Sequence, residues 1–511
     1  MASRIDSSRV VAVIGSGVMG AGIAQVAALA GHPVRLYDSR SQAATKALAE
    51  IRAALQRQVD KGRMRAADAD AAGARIRAAA SLDDLSDASL VMEAIVENLG
   101  SKRQLFADLE QIVNTTCIFA SNTSSISITA IAAQLGNPAR LVGMHFFNPV
   151  PLMELVEIIS GLATEAAVAD TVHATAIAWG KCAVHAKSTP GFIVNRVARP
   201  YYAEGMRLLT EQAADAATLD AVMREAGGFR MGPFELMDLI GHDVNLAVTQ
   251  SVFDATFNDP RFMPSLIQQE LVSAGFLGRK SGRGFYRYGI DAVNPCAQSE
   301  AAQARPDAGI VMHAKDAMAE ALAARFSNAG IAVRHLPPAG ADQVLLECGD
   351  ARLYLTDGRS ATQRADAEDC PNLVLLDLAF DFSKATRIAL AKADQCSVAA
   401  YQAMVGLFQA AGFAVSGLDD VPGMTVMRTV AMLANEAADA VNQGVCGVAA
   451  VDLAMRKGVN YPLGPLAWAD AIGIARVATV LHNLADSYGE DRYRVSPLIR
   501  RKQTNGENFH A

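Results

Sequence analysis

His145 and Glu157 are the residues of this sequence whose types and spacing best suit catalysis. His145 follows the apolar run Leu141 to Met144, which we predict to be a buried strand, and Glu157 lies inside a second apolar segment, Leu155 to Ile159. A carboxylate in an apolar strand needs a partner, because an unpaired buried charge is costly. An imidazole held by a carboxylate is oriented and becomes a better base. The two residues predict an acid/base pair, with a structural histidine and a locally paired glutamate as the alternative.

A glycine-rich loop near the start of the sequence predicts a dinucleotide site. The apolar strand Val10 to Ile14 leads into Gly15-Ser-Gly-Val-Met-Gly20, and a helix from Met19 to Leu29 follows. The first glycine makes a tight turn, the second lets the backbone approach a pyrophosphate, and the third lets the helix pack closely on the strand. The predicted cofactor contacts in this loop are Gly15, Gly17, Val18, Met19 and Gly20.

The acidic residue Asp38 indicates which dinucleotide binds. It ends the predicted strand Val34 to Tyr37 and lies 23 positions after Gly15 (38 − 15). A carboxylate at this place binds the ribose hydroxyls and repels a 2′-phosphate, so we expect NAD to be favoured over NADP. The nearby cation of Arg40 keeps NADP open as the alternative.

Composition narrows the class of protein. The 511 residues should form about three domains, on a scale of roughly 150 residues each. With 51% hydrophobic and 19% charged residues the chain can bury a large core, and its net charge of −7 argues against nucleic-acid binding. We find no signal peptide and no apolar run of about 18 residues, so we expect no membrane span and a cytoplasmic location. Seven scattered cysteines without a C-x-x-C pair predict reduced thiols and no metal site.

Polar residues at two other predicted strands are further candidates for a site. The strand Leu90 to Val96 is interrupted by Glu93, and the strand Cys117 to Ser121 is followed by the polar cluster Asn122-Thr-Ser-Ser125. Hydroxyl groups at that strand end either cap the next helix or hydrogen-bond a substrate oxygen. Both uses fit the residues alone.

The predicted helix Ala43 to Gly62 is amphipathic and basic. Arg52, Arg57 and Lys61 lie on or near its exposed side. A solvated face is the simpler interpretation, and contact with a substrate that carries phosphates is the alternative.

Six motifs follow one another in a fixed order over about residues 8 to 288. They are the Gly15 loop, Glu93-Ala-Ile-Val-Glu97-Asn98, Ala120-Ser-Asn-Thr-Ser-Ser125, His145-Phe-Phe-Asn-Pro, Thr189-Pro-Gly-Phe-Ile-Val-Asn-Arg196 and Gly232-Pro-Phe-Glu-Leu-Met-Asp-Leu-Ile-Gly241. In order and spacing this set resembles the L-3-hydroxyacyl-CoA dehydrogenases of fatty-acid β-oxidation. The resemblance implies an enzyme that oxidises L-3-hydroxyacyl-CoA with NAD⁺ to 3-oxoacyl-CoA, NADH and a proton.

The resemblance also implies roles for single residues. His145 matches the family's general base, and Glu157 matches its carboxylate partner. Ser124 and Asn195 match the residues that hydrogen-bond the substrate oxygen. The other positions that the family uses for cofactor or substrate are Glu97, Lys102, Asn148 and Lys280, with Ser124 again at the cofactor and Lys61 near the CoA nucleotide.

The helical part of the sequence occurs twice. Thr189 is predicted to cap a helix that runs to Leu209 with a bend at Pro200. Val421-Pro-Gly-Met-Thr-Val-Met-Arg428 repeats the Thr189 motif, and a second Gly-Pro segment at Gly464 repeats the one at Gly232, both 232 residues later (422 − 190 and 464 − 232). Asn195 becomes Met427 in the repeat, and no second His-Phe-Phe-Asn-Pro motif exists. We therefore predict a non-catalytic second copy.

These patterns predict the following organisation. A Rossmann-type α/β domain that binds NAD covers residues 1–188, and an all-α helical domain covers 189–288. A linker (289–308), a small α/β domain of unknown role (309–418) and the degenerate helical copy (419–511) follow. Single-copy members of the family dimerise through the helical domain, so we expect the two copies to pack as a pseudo-dimer within one chain. Whether whole chains also form a homo-oligomer is left open by the sequence.

Two other functions compete with the dehydrogenase. An NAD-binding protein without activity would share the fold but would not need His145, Glu157, Ser124 and Asn195 together. A β-hydroxyacid dehydrogenase acting on small acids resembles the nucleotide domain but uses a lysine and lacks the His-Phe-Phe-Asn-Pro motif. The long form with a second helical copy resembles bacterial 3-hydroxybutyryl-CoA and 3-hydroxyadipyl-CoA dehydrogenases, the latter from phenylacetate breakdown. Arg199 and Arg207 are candidates for binding an acyl carboxylate, although solvated helix charges are the simpler interpretation.

Overall fold

The computed structural model describes residues 3–307, 309–313, 316–336 and 344–510. They fall into two compact units. The first comprises Met1–Arg196 and Gln443–Val459, and the second comprises Val197–Asn442 and Asn460–Ala511. Within the described ranges, no helix is long and apolar enough to cross a membrane.

The first unit is an α/β layer structure. Its strands are β1 (Val10–Ile14), β2 (Val34–Tyr37), β3 (Ile76–Ala78), β4 (Ala88–Glu93), β5 (Ile118–Ser121), β6 (Leu141–Phe146), β7 (Leu155–Ser160) and β8 (Cys182–Lys187). Its helices up to residue 197 are α1 (Val18–Leu29), α2 (Ala43–Asp60), α3 (Ala66–Arg75), α4 (Leu99–Glu110), α5 (Ile128–Ala132), α6 (Ala166–Ala178) and α7 (Val194–Val197).

One sheet joins all eight of these strands. Their order is β3-β2-β1-β4-β5-β6-β7-β8, and the pairs are parallel except for β6 with β7. The central strands are apolar and buried on both faces, as a parallel sheet between helices requires. The carboxyl ends of β1, β4, β5 and β6 therefore meet at one edge, where ligand sites of such folds lie.

The structure corrects three details of the sequence prediction. The strand predicted over Leu90 to Val96 is β4, which ends at Glu93, so Glu93 does not interrupt it. His145 does not follow its strand: β6 extends to Phe146, and His145 pairs with Glu157 across the antiparallel β6–β7 ladder. Thr189 does not cap a helix either, because a turn over residues 190–193 intervenes and α7 begins at Val194. The N–H groups at that helix start find a partner far away in sequence, as described below.

The second unit contains the helical elements and a second sheet. Its helices are α8 (Arg199–Thr210), α9 (Ala216–Glu225), α10 (Pro233–Ile240), α11 (His242–Ala255), α12 (Leu266–Ser273), α13 (Ala317–Asn328), α14 (Ala361–Ala367), α15 (Val398–Ala410) and α16 (Val426–Asn442); α17 (Val448–Gly458) belongs to the first unit; α18 (Pro465–Ile472), α19 (Ile474–Tyr488) and α20 (Pro497–Asn505) complete the set. Its strands are β9 (Ile310–Met312), β10 (Val333–His335), β11 (Leu346–Cys348), β12 (Ala351–Leu355), β13 (Leu373–Leu376), β14 (Arg387–Lys392) and β15 (Ala414–Gly417). They lie in the order β10-β9-β11-β12-β13-β14-β15.

The 232-residue repeat begins further upstream than its sequence motifs. β14 starts 232 residues after β7 (387 − 155), α15 starts 232 residues after α6 (398 − 166), and both pairs have equal lengths. The unusual backbone is repeated as well: Phe192 and Met424 both have positive φ, at 49° and 54°. We call the residue 232 positions later the counterpart. By this measure the second sheet, from β12 onward, belongs to the second copy.

Candidate active site

The glycine loop leaves an open path to the start of α1. Gly15 has φ of +96°, and a Cβ on it would lie 2.4 Å from the carbonyl oxygen of Ala94. A Cβ on Gly20 would lie 1.7 Å from the carbonyl oxygen of Gly15, so only glycine permits this close packing. A Cβ on Gly17 would have no neighbour within 4 Å. The loop thus has the free space beside the helix N-terminus that a pyrophosphate needs.

Asp38 lies beside this loop, in a cavity of about 610 Å³ that Gly15, Gly17, Tyr37 and Arg40 also line. Oδ2 of Asp38 accepts hydrogen bonds from N and Oγ of Ser16, at 2.8 and 2.7 Å. The guanidinium of Arg40 donates to both of its oxygens at 3.0 Å. These bonds, that from Arg40 foremost, hold the pKa of Asp38 well below its usual range, so the carboxylate is ionised.

His145 and Glu157 form a buried hydrogen-bonded pair. Nδ1 of His145 lies 2.7 Å from Oε2 of Glu157, and the two residues are 5% and 0% exposed. An ionised carboxylate only accepts, so Nδ1 carries the proton and Nε2 is left as the basic nitrogen. The other oxygen of Glu157, Oε1, accepts from the backbone N–H groups of Ile193 and Val194, at 2.9 and 3.0 Å. Glu157 therefore joins the start of α7 to the histidine.

Six of the site residues predicted from sequence line one cavity of about 330 Å³. Those that line it are Met19, Glu97, Ser124, His145, Asn148 and Asn195. The amide of Asn195 donates to the carbonyl oxygen of Ser124 at 3.4 Å. Asn122, which sequence reasoning left in an unassigned cluster, also lines the cavity, and its Oδ1 accepts from the backbone N–H of Phe146 at 2.8 Å. Asn122 thus fixes the end of β6 next to His145.

An ionic network of buried Glu93 and Lys102 with exposed Glu97 lies beside the Ser124 loop. Nζ of Lys102, 1% exposed, lies 2.6 Å from Oε1 of Glu93 and 3.2 Å from Oε2 of Glu97. Oε1 of Glu97 accepts from the hydroxyl of Thr123 at 2.6 Å and from the backbone N–H of Ser124 at 2.9 Å. Burial alone would raise the pKa of Glu97, but the charge of Lys102 and these hydrogen bonds leave it lowered.

This network refines two residues of the sequence prediction. Glu97 lines the His145 cavity, whereas Lys102 is held between two carboxylates and is not among the lining residues described. Glu93 was visible in the sequence only as an acid inside an apolar strand, and its partner Lys102 could not be read from that signal.

The other predicted contacts lie elsewhere. Lys61 directly follows α2 and is exposed. Lys280, in the second unit, forms an ion pair with Asp243. Arg199 is buried, with its guanidinium 2.9 Å from the hydroxyl of Thr249, and Arg207 pairs with Glu490 at 2.9 Å.

Comparison with known families matches most of the chain. The model for the 3-hydroxyacyl-CoA dehydrogenase NAD-binding domain matches residues 10–189, and the model for the C-terminal domain of the same family matches residues 191–288 and again 423–509. A third model, for the reduced Rossmann-fold domain of 3-hydroxybutyryl-CoA dehydrogenase, matches residues 353–422.

Individual relatives agree with these matches. The chain is 44% identical over 492 residues to 3-hydroxyadipyl-CoA dehydrogenase of Escherichia coli (strain K12). This alignment covers 96% of this chain and 97% of the relative. It is 40% identical over 284 residues to the mitochondrial hydroxyacyl-coenzyme A dehydrogenase of Homo sapiens, over 54% of this chain and 90% of that protein. A crystal structure of 3-hydroxybutyryl-CoA dehydrogenase from Escherichia coli K12 matches with a TM-score of 0.88 at 42% identity, covering 98% of this chain and 99% of that one. The chain belongs to the 3-hydroxyacyl-CoA dehydrogenase family of NAD-dependent oxidoreductases.

Proposed function

We propose that this chain converts L-3-hydroxyacyl-CoA and NAD⁺ into 3-oxoacyl-CoA, NADH and a proton, with His145 as the base. The observation that carries the proposal is the 2.7 Å bond between His145 and Glu157 in a cavity shared with Ser124 and Asn195. When bound, NAD⁺ supplies the acceptor for the hydride that leaves C3.

The residues of this cavity have complementary tasks in the proposed mechanism. Nε2 of His145 takes the proton of the 3-hydroxyl group, and Glu157 stabilises the imidazolium that forms. The hydroxyl of Ser124 and the amide of Asn195 donate to the substrate oxygen as it becomes a carbonyl. Oriented donors of this kind need no rearrangement during the reaction, which is why the loop carrying Ser124 must be held firmly.

NAD is the cofactor, and Asp38 supports its preference over NADP in the proposal. The carboxylate is ionised at the mouth of the glycine loop and would repel a 2′-phosphate. Arg40 is already paired with this carboxylate, so its charge is partly neutralised. We expect the reaction with NADP to be slower, which parallel assays with NADH and NADPH would measure.

The acyl group is proposed to be short or dicarboxylic. The two Escherichia coli relatives that match over nearly the whole chain are named for hydroxyadipyl and hydroxybutyryl substrates, which differ in length and in a terminal carboxylate. Assays with acetoacetyl-CoA and 3-oxoadipyl-CoA distinguish the two: a kcat/KM at least tenfold higher for one assigns the acyl class.

The two copies are proposed to form a pseudo-dimer within the chain. In the second unit, α8 packs on α16, and the counterparts of the α8 residues lie in α16. Arg261 of the first copy donates to Glu436 of the second at 3.0 Å, and Tyr493, the counterpart of Arg261, donates to Glu204, the counterpart of Glu436, also at 3.0 Å. Such reciprocal contacts are typical of a twofold dimer interface.

The proposal includes a non-catalytic second copy and a cytoplasmic location. The counterparts of His145, Glu157 and Asn195 are Asp377, Ala389 and Met427, none of which can serve the same chemistry. All seven cysteines are unpaired, as expected in a reducing compartment.

The first experiment follows NADH oxidation at 340 nm with acetoacetyl-CoA. Wild-type activity that His145→Ala reduces by about 10²- to 10⁴-fold, without a change in NADH affinity, supports the mechanism. A wild type that binds NADH but turns over no acyl-CoA contradicts it. A truncation after residue 288 tests the pseudo-dimer: an active, tightly dimeric fragment supports it, and a stable monomer contradicts it.

A further inference from the structure

A helix of the second copy lies against the catalytic strand of the first. α17 packs on β7 and β8, and the segment 443–459 that contains it belongs to the first unit. The backbone N–H of Lys187, at the end of β8, donates to the carbonyl oxygen of Val445 at 2.9 Å. Lys457 forms an ion pair with Glu154, just before β7, at 2.7 Å. The segment is therefore tied to both strands and at both of its ends.

One end of this helix lies close to two residues that are linked to Glu157. A Cβ on Gly458 would lie 2.7 Å from Cδ2 of Leu155 and 3.1 Å from Cγ2 of Val194. Leu155 precedes Glu157 by two residues on β7, so their side chains share a face of the sheet. Val194 provides one of the N–H groups that bind Glu157. At the other end, the Cys446 thiol lies near enough that the charge of Glu157 adds to burial in raising the pKa of Cys446 to about 12.

The same contacts occur in the second unit with the copies exchanged. There α9 of the first copy packs on β14, the counterpart of β7. The N–H of Asp419 donates to the carbonyl oxygen of Ala213 at 2.9 Å, which is the counterpart of the bond between Lys187 and Val445. Ala226 is the counterpart of Gly458. Each copy thus supports the sheet of the other, but only one of the two supported strands carries a catalytic carboxylate.

We propose that α17 positions the His145–Glu157 pair, so that the copy without catalytic residues is needed by the copy that has them. Gly458, at the end of α17, is the positioning residue, because its missing side chain leaves room for Leu155, which shares a strand with Glu157, and for Val194, which donates to it. The inference rests on the proposed role of His145 and Glu157.

The test enlarges the side chain at position 458 and measures the effect on kcat. Gly458→Val should displace Leu155 and Val194 and lower kcat by about 10- to 100-fold, because small misplacements of catalytic groups have effects of this size. KM for NADH should stay unchanged, since the glycine loop is not touched. Gly458→Ala should fold in any case, because the atom it meets first is the flexible end of Leu155, and should lower kcat a few-fold. Adding Leu155→Ala to Gly458→Val should restore part of the loss by making room.

Ala226→Val is the matched control, because it enlarges the counterpart position, at the end of the helix α9 that packs on β14, the strand without a catalytic carboxylate. It should leave kcat unchanged even if the melting temperature falls. Equal losses of kcat in Gly458→Val and Ala226→Val, or an unchanged kcat per folded Gly458→Val protein, would overturn the inference. His145→Ala separates the proposed mechanism from the proposed role of α17. If His145→Ala is active, the proposed mechanism fails. If it is inactive while Gly458→Val is fully active, only the role of α17 fails.

Discussion

The two copies solve the same structural problem with carboxylates at different positions, Glu157 on β7 and Asp377 directly after β13. In the first copy, Glu157 on β7 binds the N–H groups of Ile193 and Val194 with one oxygen and His145 with the other. In the second copy, their counterparts Thr425 and Val426 donate to Asp377, which occupies the histidine position. Asp377 also accepts from the backbone N–H groups of Met427 and Leu378, so both of its oxygens are used by the backbone.

The difference shows what catalysis adds to structure. A buried helix start must have its N–H groups satisfied in either copy. One carboxylate oxygen is enough for the two N–H groups in the first copy, and the second oxygen is then free to hold an imidazole on the neighbouring strand. Because Asp377 sits on the histidine position itself, its copy keeps the helix start and has no place for the base.

The largest effect should come from the base itself. His145→Ala should lower kcat by about 10²- to 10⁴-fold with little change in NADH affinity. Asp377→Ala, at the counterpart position, should leave kcat per folded protein unchanged but reduce the free energy of unfolding by about 3 kcal/mol or more, because several buried N–H groups lose their acceptor. Stopped-flow kinetics and urea unfolding measure the two quantities. Activity loss in Asp377→Ala would mean that the second copy takes part in the chemistry.

The reciprocal contacts between the copies should matter for stability rather than for kcat. Glu204 is fully buried; burial acts to raise its pKa, but the charges of Arg492 and Arg428 lower it to about 2. A lowered pKa means that this stabilisation is present above about pH 4.5 and is lost as the pH falls towards 2. Glu204→Gln should reduce the free energy of unfolding at pH 7 by about 3–5 kcal/mol, because buried arginines lose a charged partner.

Unfolding experiments between pH 2 and pH 7 test this assignment. The wild type should lose stability across the acid range, and Glu204→Gln should show a flatter pH dependence there. Glu436→Gln at the counterpart position is the comparison: if the interface is a pseudo-dimer, it should also destabilise the fold and leave kcat intact. A loss of stability in one variant alone would contradict the reciprocal arrangement.

Exchanging the carboxylates tests the comparison directly. The double variant His145→Asp with Glu157→Ala gives the first copy the residue types of the second. It should be as inactive as His145→Ala. It should also be more stable than Glu157→Ala alone, by about 1–3 kcal/mol, because an acid on β6 can accept from Ile193 and Val194 as Asp377 does for their counterparts. If the double variant and Glu157→Ala unfold at the same urea concentration, the aspartate on β6 does not replace the stabilising hydrogen bonds of Glu157, and the comparison with Asp377 is contradicted.

The sequence predicted the elements whose bounds are set by neighbouring residues, and it did not predict contacts between residues that are far apart in the chain. Val10–Ile14 and Val34–Tyr37 have the predicted bounds, because apolar runs and the turn residues beside them mark these strands locally. Thr189 was the wrong cap, since the acceptor for the N–H groups of Ile193 and Val194 is Glu157, which lies 36 and 37 residues earlier. A cap of that kind is formed by the tertiary fold and has no local pattern.

The candidate site shows the same limit. The family motifs predicted site roles for His145, Ser124 and Asn195, and these residues line one cavity. The same motifs did not predict that Lys102 forms ion pairs with Glu93 and Glu97. The repeat could be traced from motifs only in its helical part, for a related reason: β12 to β15 follow the order of β5 to β8 but do not share their motifs. Packing constrains which positions are buried, and it does not require the motif residues themselves.

The smallest effect that still separates the copies concerns the loop carrying Ser124. Thr123 is fully buried and donates to Glu97 at 2.6 Å, whereas its counterpart is the apolar Leu355. Thr123→Val keeps the shape but removes that hydrogen bond and the one that Oγ1 of Thr123 accepts from the backbone N–H of Ile126 at 2.9 Å. Ser124 should then be held less firmly, and kcat should fall by about tenfold. Thr175→Val is the matched control, because Thr175 is an equally buried threonine of the first unit whose hydroxyl binds the backbone of Thr171. If both substitutions lower stability but only Thr123→Val lowers kcat, the Glu97 network orients the substrate-binding loop. Equal kcat values for the two variants would mean that the network contributes to packing alone.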